Sequence, residues 1–219
     1  MCIRDRLNTI VLYLKLLISI ACSLISTRWV LEALGSEDFG VYNLVAGIIA
    51  MFSFLNSSMS AATQRFLSIA AGKSKPIEVH KIFVCSLYLH LFIAILVLLL
   101  FELGGLYLIN NVMVIPNSKY DDALIVLHFM SISSFFTIIS APYQAAITTH
   151  EALHIYAFTG VLESICKLLV AFILLNYLGN RLVLYTVCMM MVSINSFFIV
   201  WLYCSTVSYT HLRAHETGA

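Results

Sequence analysis

Charged residues are scarce in this sequence. Its 12 Lys and Arg and 11 Asp and Glu make up 11% of the chain, against roughly 25% in soluble globular proteins. Hydrophobic residues make up 61%. This balance excludes an ordinary soluble domain and indicates a polytopic membrane protein. The formal net charge of +1 gives no basic excess for binding nucleic acid, so we expect no nucleic-acid partner.

Several motifs of enzymes and processed proteins are also missing. The cysteines after the N-terminal tail lie in apolar runs without C-x-x-C spacing, so we expect neither a disulfide framework nor a zinc site. Ala71-Gly72-Lys73-Ser74 is similar to the end of a phosphate-binding loop, but Leu67 stands where the first glycine is required. No cleavable signal peptide is evident. We expect no cofactor and no ATP-driven transport by this chain.

One enzyme pattern is present, from His150 to His154. His150-Glu151-Ala152-Leu153-His154 matches the H-E-x-x-H pattern of zinc metalloproteases. A catalytic zinc needs a third protein ligand, which membrane-embedded proteases take from a later Asp, and no Asp follows Asp122. The motif also falls between two predicted helices. An intramembrane metalloprotease is therefore the least favoured function, and we expect no enzyme.

Six apolar runs are long enough to cross a membrane as helices. They extend from Leu7 to Leu34, Val41 to Leu67, Ile82 to Leu103, Ala123 to Thr148, from Ile155 onward, and from Arg181 to Cys204. The sequence thus predicts an all-α bundle of six transmembrane helices. The most basic loop contains Arg65, Lys73, Lys75 and Lys81, so the positive-inside rule places this loop and the N-terminus in the cytoplasm.

Four of the six helices gather polar residues on one face at 100° per residue. The stripes are Asn8, Lys15, Ser19, Cys22 and Ser26; Ser53, Asn56, Ser57, Ser60 and Gln64; Ser133, Thr137, Ser140, Gln144, Thr148 and Glu151; and Tyr156, Thr159, Gly160, Glu163 and Lys167. A helix surrounded by lipid has no reason to form such a stripe. We expect the four stripes to surround one hydrophilic cleft, with the third and sixth helices nearer the lipid.

Three charges at membrane depth have two interpretations each. Lys15 either faces a cavity or extends to nearby headgroups, and its stripe favours the cavity. Glu163 and Lys167 stand at i,i+4 near the membrane midplane, where they form either a structural bridge or part of an ion-coupling site. His90 is alone in the third helix, and we expect a packed, hydrogen-bonded side chain.

The two ends of the chain share a possible nucleotide origin. Residues 1–6 can be encoded by ATG TGT ATA AGA GAC AG, whose reverse complement encodes Val207 to His211. We therefore expect residues 1–6 and 207–219 to be sequencing-adapter remnants, residues 7–206 to form the six-helix bundle, and the chain to be a fragment.

The sequence resembles the polysaccharide (O-antigen and capsular) flippases of the multidrug/oligosaccharidyl-lipid/polysaccharide exporter superfamily. The resemblance covers residues 7–206 and lies in Ser26-Thr-Arg28, the stretch from Leu34 to Asn43, the stretch from Met51 to Ser60, Thr63-Gln-Arg65-Phe66, Ala141-Pro142-Tyr-Gln, His150-Glu151 and Ile155-Tyr156-Ala157-Phe158. It implies twelve to fourteen spans in two bundles, of which this chain is the first and lacks the C-terminal lobe.

The resemblance also implies a function. Such proteins move undecaprenyl-pyrophosphate-linked oligosaccharide across the bacterial cytoplasmic membrane, driven by a gradient of H⁺ or Na⁺. Candidate substrate-binding residues here are Lys15, Arg28, Asn56, Gln64, Arg65 and Gln144, and candidate ion-coupling residues are Glu163 and Lys167. A cation-coupled drug antiporter of the same superfamily is the alternative; it would favour a cavity lined by carboxylates.

Overall fold

The computed structural model consists of helices and short connections throughout the part it describes, residues 2–73 and 76–217. For residues 2–5, 7, 53, 55, 76, 117 and 207–217 it describes the backbone alone. The helices are α1 (Cys2–Gly72), α2 (Pro76–Asn111), α3 (Tyr120–Thr149), α4 (Leu153–Asn176) and α5 (Arg181–Thr217), with a 3₁₀ turn at Asn117–Lys119 before α3. The origin of residues 1–6 and 207–219 stays a prediction; Met1, Gly218 and Ala219 lie outside the described residues.

The described part contains five helices that are long and apolar enough to cross a membrane, so the predicted number of six is not matched exactly. The first two predicted helices are joined in α1. Its apolar part, Asn8–Gly72, has 65 residues and would be about 98 Å long if straight, far more than a hydrocarbon core of about 30 Å. Gly35, with φ 74° and ψ 175°, interrupts the helical geometry and divides α1 into a first arm (2–34) and a second arm (36–72).

The two arms of α1 run in opposite directions. The first arm lies along α4 and the second along α3, as shown by the contacts Ser19–Ser164, Trp29–Phe172, Asp38–Lys119 and Ser68–Thr149. α3 and α4 are antiparallel, since Ala123 packs in one cluster with Leu174, and Ile147 packs in another with Tyr156. The bend at Gly35 therefore makes α1 a helical hairpin.

The main apolar core lies beside this bend, at what we call the Gly35 end. Both arms contribute, through Val30 and Val45, which are almost fully buried. They meet Val126 of α3, Leu174 of α4 and Leu182 of α5, which are buried just as deeply. Branched aliphatic side chains fill this space without leaving polar groups unpaired, so the core holds both arms, α3, α4 and α5 together at this end.

Polar side chains join the three connections at the Gly35 end. Lys119 Nζ is 2.6 Å from Asp38 Oδ1, and Asn180 donates to Asp122 Oδ1 at 2.7 Å. Arg181 donates from Nη1 to the carbonyl of Ala33 at 2.7 Å. The bend in α1, the α2–α3 connection and the α4–α5 connection are thus linked by an ion pair and by two hydrogen bonds that involve charged groups.

Replacing Lys119 by methionine should lower the free energy of unfolding by about 2 kcal/mol, the order expected for a hydrogen bond to a charged group. The hydrogen bond to the Asp38 carboxylate raises the pKa of Lys119 above 10.5 in the folded protein. Its contribution is therefore complete below pH 10.5 and is lost as the pH rises through the folded pKa. Thermal unfolding in detergent measures the effect, with the exposed Lys73→Met as control. Equal losses in both variants would contradict the role of the network.

Replacing Gly35 by alanine should destabilise the hairpin by about 1–3 kcal/mol, because a side chain is strained at this φ and ψ. No atom lies within 4 Å of the position that its Cβ would take, so the strain is purely conformational. Gly47→Ala is the matched control, since Gly47 also has open space at its Cβ but no positive φ. A Gly35→Ala variant as stable as Gly47→Ala would mean that the bend needs no glycine.

Candidate functional site

The polar stripe of the first arm faces protein, as its periodicity predicts. Asn8, Lys15, Ser19, Cys22 and Ser26 are all half-buried, whereas the apolar residues on the opposite side of the arm are largely exposed. The partner of the stripe is α4, with which the first arm is in contact along its length. The stripes of the first and fifth predicted helices therefore do meet.

Lys15 lies against an aromatic ring of α4. Its Nζ is 3.5 Å from the centroid of the Tyr156 ring, a distance typical of a cation–π interaction. One turn further along, Ser164 Oγ lies within hydrogen-bond distance of Ser19 Oγ, at 2.9 Å, and of the carbonyl oxygen of Gly160, at 2.8 Å. The lysine is thus directed toward the neighbouring helix. Among the side chains that the structure describes, no carboxylate forms an ion pair with it.

An open groove runs beside Lys15 and has a volume of about 460 Å³. It is lined by Thr9, Leu12, Tyr13, Lys15, Leu16, Ser19 and Tyr156. The groove thus combines an ammonium group with hydroxyl groups and apolar side chains. An ammonium beside hydroxyl groups suits an anionic group, and the apolar wall suits an attached hydrocarbon chain.

Glu163 and Lys167 form the ion pair that their spacing predicts. Lys167 Nζ is 2.6 Å from Glu163 Oε1, and Ser196 of α5 donates to Glu163 Oε2 at 3.0 Å. The two side chains are about two-fifths exposed, 36% for Glu163 and 40% for Lys167. Both oxygens of the carboxylate are therefore engaged by donors, one from α4 itself and one from α5.

A second cavity, of about 200 Å³, lies between the second arm, α2, α3 and α5. Its polar lining comprises Tyr42, Asn56, Ser133, Ser134, Thr137 and Thr186. Asn56 Oδ1 is buried and has no hydrogen-bond partner among the described residues. The cavity can therefore supply an amide acceptor and several hydroxyl groups to a small polar molecule.

Among the side chains that the structure describes, the four polar stripes do not surround one shared cleft. The first arm pairs with α4, whereas Asn56 of the second arm shares a cavity with Ser133 and Thr137 of α3. The third and sixth predicted helices, α2 and α5, also line this cavity, through Phe101 and Thr186. The expectation that they lie nearer the lipid stays a prediction. Periodicity identifies the protein-facing side of a helix and leaves its partner undefined.

Four of the candidate substrate-binding residues lie outside the linings of both cavities. Arg28, Gln64 and Arg65 are exposed. Gln144 is half-buried and donates to Ser140 Oγ at 3.3 Å. The structure thus brings Lys15 and Asn56 to cavities but leaves these four residues elsewhere.

Sequence reasoning missed several residues that contact the candidate groups. Ser164 adjoins Glu163 in sequence but binds Ser19, and Ser196 follows Asn195 in α5, where the sequence shows little polar pattern. Tyr42 and Thr186 line the second cavity without belonging to a stripe. Of these residues, Ser164 could have been found from its place one turn beyond Gly160.

The H-E-x-x-H motif is split by the turn between α3 and α4. His150 follows the last residue of α3, Glu151 has a positive φ of 55°, and His154 is the second residue of α4. The two histidines are therefore not held one turn apart on a continuous helix, as a zinc pair of this type requires. The expectation for His90 is confirmed, because it is fully buried and its Nδ1 is 2.8 Å from the carbonyl of Ser86.

The fold and the apolar helices define a polytopic integral membrane protein. No family model and no solved structure matches the chain. A curated protein does match: the uncharacterized membrane protein EpsK of Bacillus subtilis (strain 168), 29% identical over 131 residues. The match covers 59% of this chain and 26% of EpsK, so the chain spans only a minor part of its relative's length.

Proposed function

We propose that the chain is the N-terminal lobe of a flippase that moves undecaprenyl-pyrophosphate-linked oligosaccharide across the bacterial cytoplasmic membrane during polysaccharide biosynthesis. The hairpin of α1 makes six crossings from five helices, which is the number in one bundle of the two-bundle exporters that the sequence resembles. In this proposal the protein is a transporter rather than an enzyme. It works with a C-terminal lobe outside this sequence.

One observation supports the substrate class above all others. Lys15 lies in an apolar segment long enough to cross a membrane, on a protein-facing stripe, with its ammonium beside an open groove of about 460 Å³. A charge inside a membrane is unfavourable unless it has a partner. A pyrophosphate provides an anionic partner, while the polyprenyl chain attached to it fits the apolar residues of the same groove. We infer that Lys15 contacts the pyrophosphate.

The ion pair on α4 favours this function over the cation-coupled drug antiporter. An antiporter would bind its cationic drug at a carboxylate, and Glu163 already accepts hydrogen bonds from Lys167 and Ser196. We assign Glu163 and Lys167 instead to coupling with the H⁺ or Na⁺ gradient, in which a proton or a Na⁺ ion would replace Lys167 at the carboxylate.

Deletion of the gene tests the function directly. In the producing bacterium, deletion should remove the surface polysaccharide while the lipid-linked oligosaccharide accumulates in the membrane, because synthesis continues and only translocation stops. Extracted lipid-linked oligosaccharide and surface polysaccharide are both quantified, and a strain complemented with the intact gene is the control. Normal surface polysaccharide in the deletion strain would contradict the proposal.

We propose that the N-terminus and the loop after α1 lie in the cytoplasm and the Gly35 end lies outside. In a variant without native cysteines, Ser36→Cys should react with an impermeant maleimide in intact cells, because Ser36 is exposed at the bend. Lys73→Cys is the control and should react only after permeabilisation. The reverse labelling pattern would invert the orientation.

A further inference from the structure

Gly160 of α4 is the residue against which the Lys15 side chain rests. A Cβ built on Gly160 would overlap Lys15 Cε and would lie 2.9 Å from its Nζ and 3.3 Å from its Cδ. Cβ atoms in folded proteins do not approach other atoms closer than 3.0 Å. Lys15 can therefore occupy this position only because residue 160 has no side chain.

We propose that Gly160 is a positioning residue, which makes room for Lys15 to reach the face of the Tyr156 ring and so fixes its ammonium beside the groove. The inference rests on the proposed function in one respect, since it identifies what holds the pyrophosphate-binding lysine in place. Tyr156 also holds the Lys15 ammonium in place. Its ring lies 3.5 Å from the ammonium, one turn before Gly160.

A side chain at residue 160 would displace the Lys15 side chain and not the helices. The three atoms that a Cβ would meet all belong to the far end of the Lys15 side chain, which has several freely rotating bonds. A small rotation moves them away without shifting α4 or the first arm. Alanine is also the better helix former, by up to about 1 kcal/mol. Gly160→Ala should therefore displace Lys15 without destabilising the protein.

The first experiment measures the position of Lys15 without any reference to transport. The 219-residue chain in phospholipid nanodiscs is acylated with a water-soluble N-hydroxysuccinimide ester, and the rate at Lys15 is read by mass spectrometry relative to Lys73 and Lys81. Lys15 should react roughly threefold faster in Gly160→Ala and Tyr156→Ala, because the cation–π contact that covers the amine is lost. Gly104→Ala is the matched control, since it is also helical but has no atom within 4 Å of its Cβ.

Two results that do not depend on transport would overturn the inference. One is an unchanged acylation rate of Lys15 in Gly160→Ala. The other is a lower unfolding temperature of Gly160→Ala than of the wild-type protein, because the helices would then have moved instead of the lysine.

Export supplies the functional measurement. In the full-length protein, Gly160→Ala should reduce export, and Lys15→Ala/Gly160→Ala should export no less than Lys15→Ala. An additive loss in the double variant would also contradict positioning.

The two proposals fail in different ways. A wild-type protein that does not support export contradicts the flippase, whereas the acylation rates still decide whether Gly160 positions Lys15. Normal export by Gly160→Ala, in a strain where Lys15→Ala exports nothing, would retain the flippase and remove the role of Gly160.

Discussion

Lys15→Ala in a full-length protein containing this sequence should reduce export of polysaccharide at least about 10-fold and leave the protein level unchanged. The expected size follows from the loss of a hydrogen bond to a charged group, about 1.5–3 kcal/mol. The level should hold because Lys15 contacts α4 through a ring face and a glycine, with no buried carboxylate left unpaired among the described residues. Surface polysaccharide and quantitative immunoblots of the membrane fraction are the measurements.

One further variant separates the charge of the side chain from its shape. Lys15→Arg should restore export only in part, since a planar guanidinium has a different geometry from a compact ammonium. Lys73→Ala, at an exposed lysine at the end of α1, is the matched control and should export normally. Normal export by Lys15→Ala at normal abundance would remove Lys15 from the proposed site and leave it as a packing residue.

Periodicity in the sequence was sufficient to predict how the first arm is buried. Its five polar residues fall on one face because a helix advances 100° per residue, and this face is the one that meets α4. The same arithmetic gave the spacing of Glu163 and Lys167 and hence their ion pair. Both features depend on the geometry of a single helix, which the order of residues determines.

Contacts between helices were less predictable. The pairing of the first arm with α4, and of the second arm with α3, depends on where the connections place each helix. No periodic pattern identifies the helix against which another helix packs, so the prediction of a single shared cleft was wrong. Gly35 was visible as a glycine, but the sequence does not distinguish a glycine that ends a helix from one that bends it.

The polar network around Lys119 could not be predicted from the sequence either. Asp38, Lys119 and Asn180 are far apart in sequence and lie in short connections, where neither hydropathy nor periodicity identifies a partner. They meet because the bend in α1 brings its two arms to the same end as the α2–α3 and α4–α5 connections. Long-range polar contacts of this kind become visible only when the fold is known.

Lys167→Met should reduce the amount of protein in the membrane, because it removes the cation beside the carboxylate of Glu163 and leaves the neutral hydroxyl of Ser196 as its donor at membrane depth. A carboxylate near the centre of a transmembrane helix is unfavourable by about 3 kcal/mol. The double variant Glu163→Gln/Lys167→Met should recover the protein level, since removing both charges leaves no unpaired ion.

Export distinguishes a coupling role from a structural bridge. If Glu163 and Lys167 couple transport to an ion gradient, the double variant should be abundant yet fail to increase export when a gradient of H⁺ or Na⁺ is imposed across membrane vesicles. Ser196→Ala is the control, because it removes one neutral hydrogen bond of about 1 kcal/mol and retains the ion pair. A double variant that responds to the gradient as the wild-type protein does would make the pair a structural bridge, and the coupling ion would then have to act on other residues.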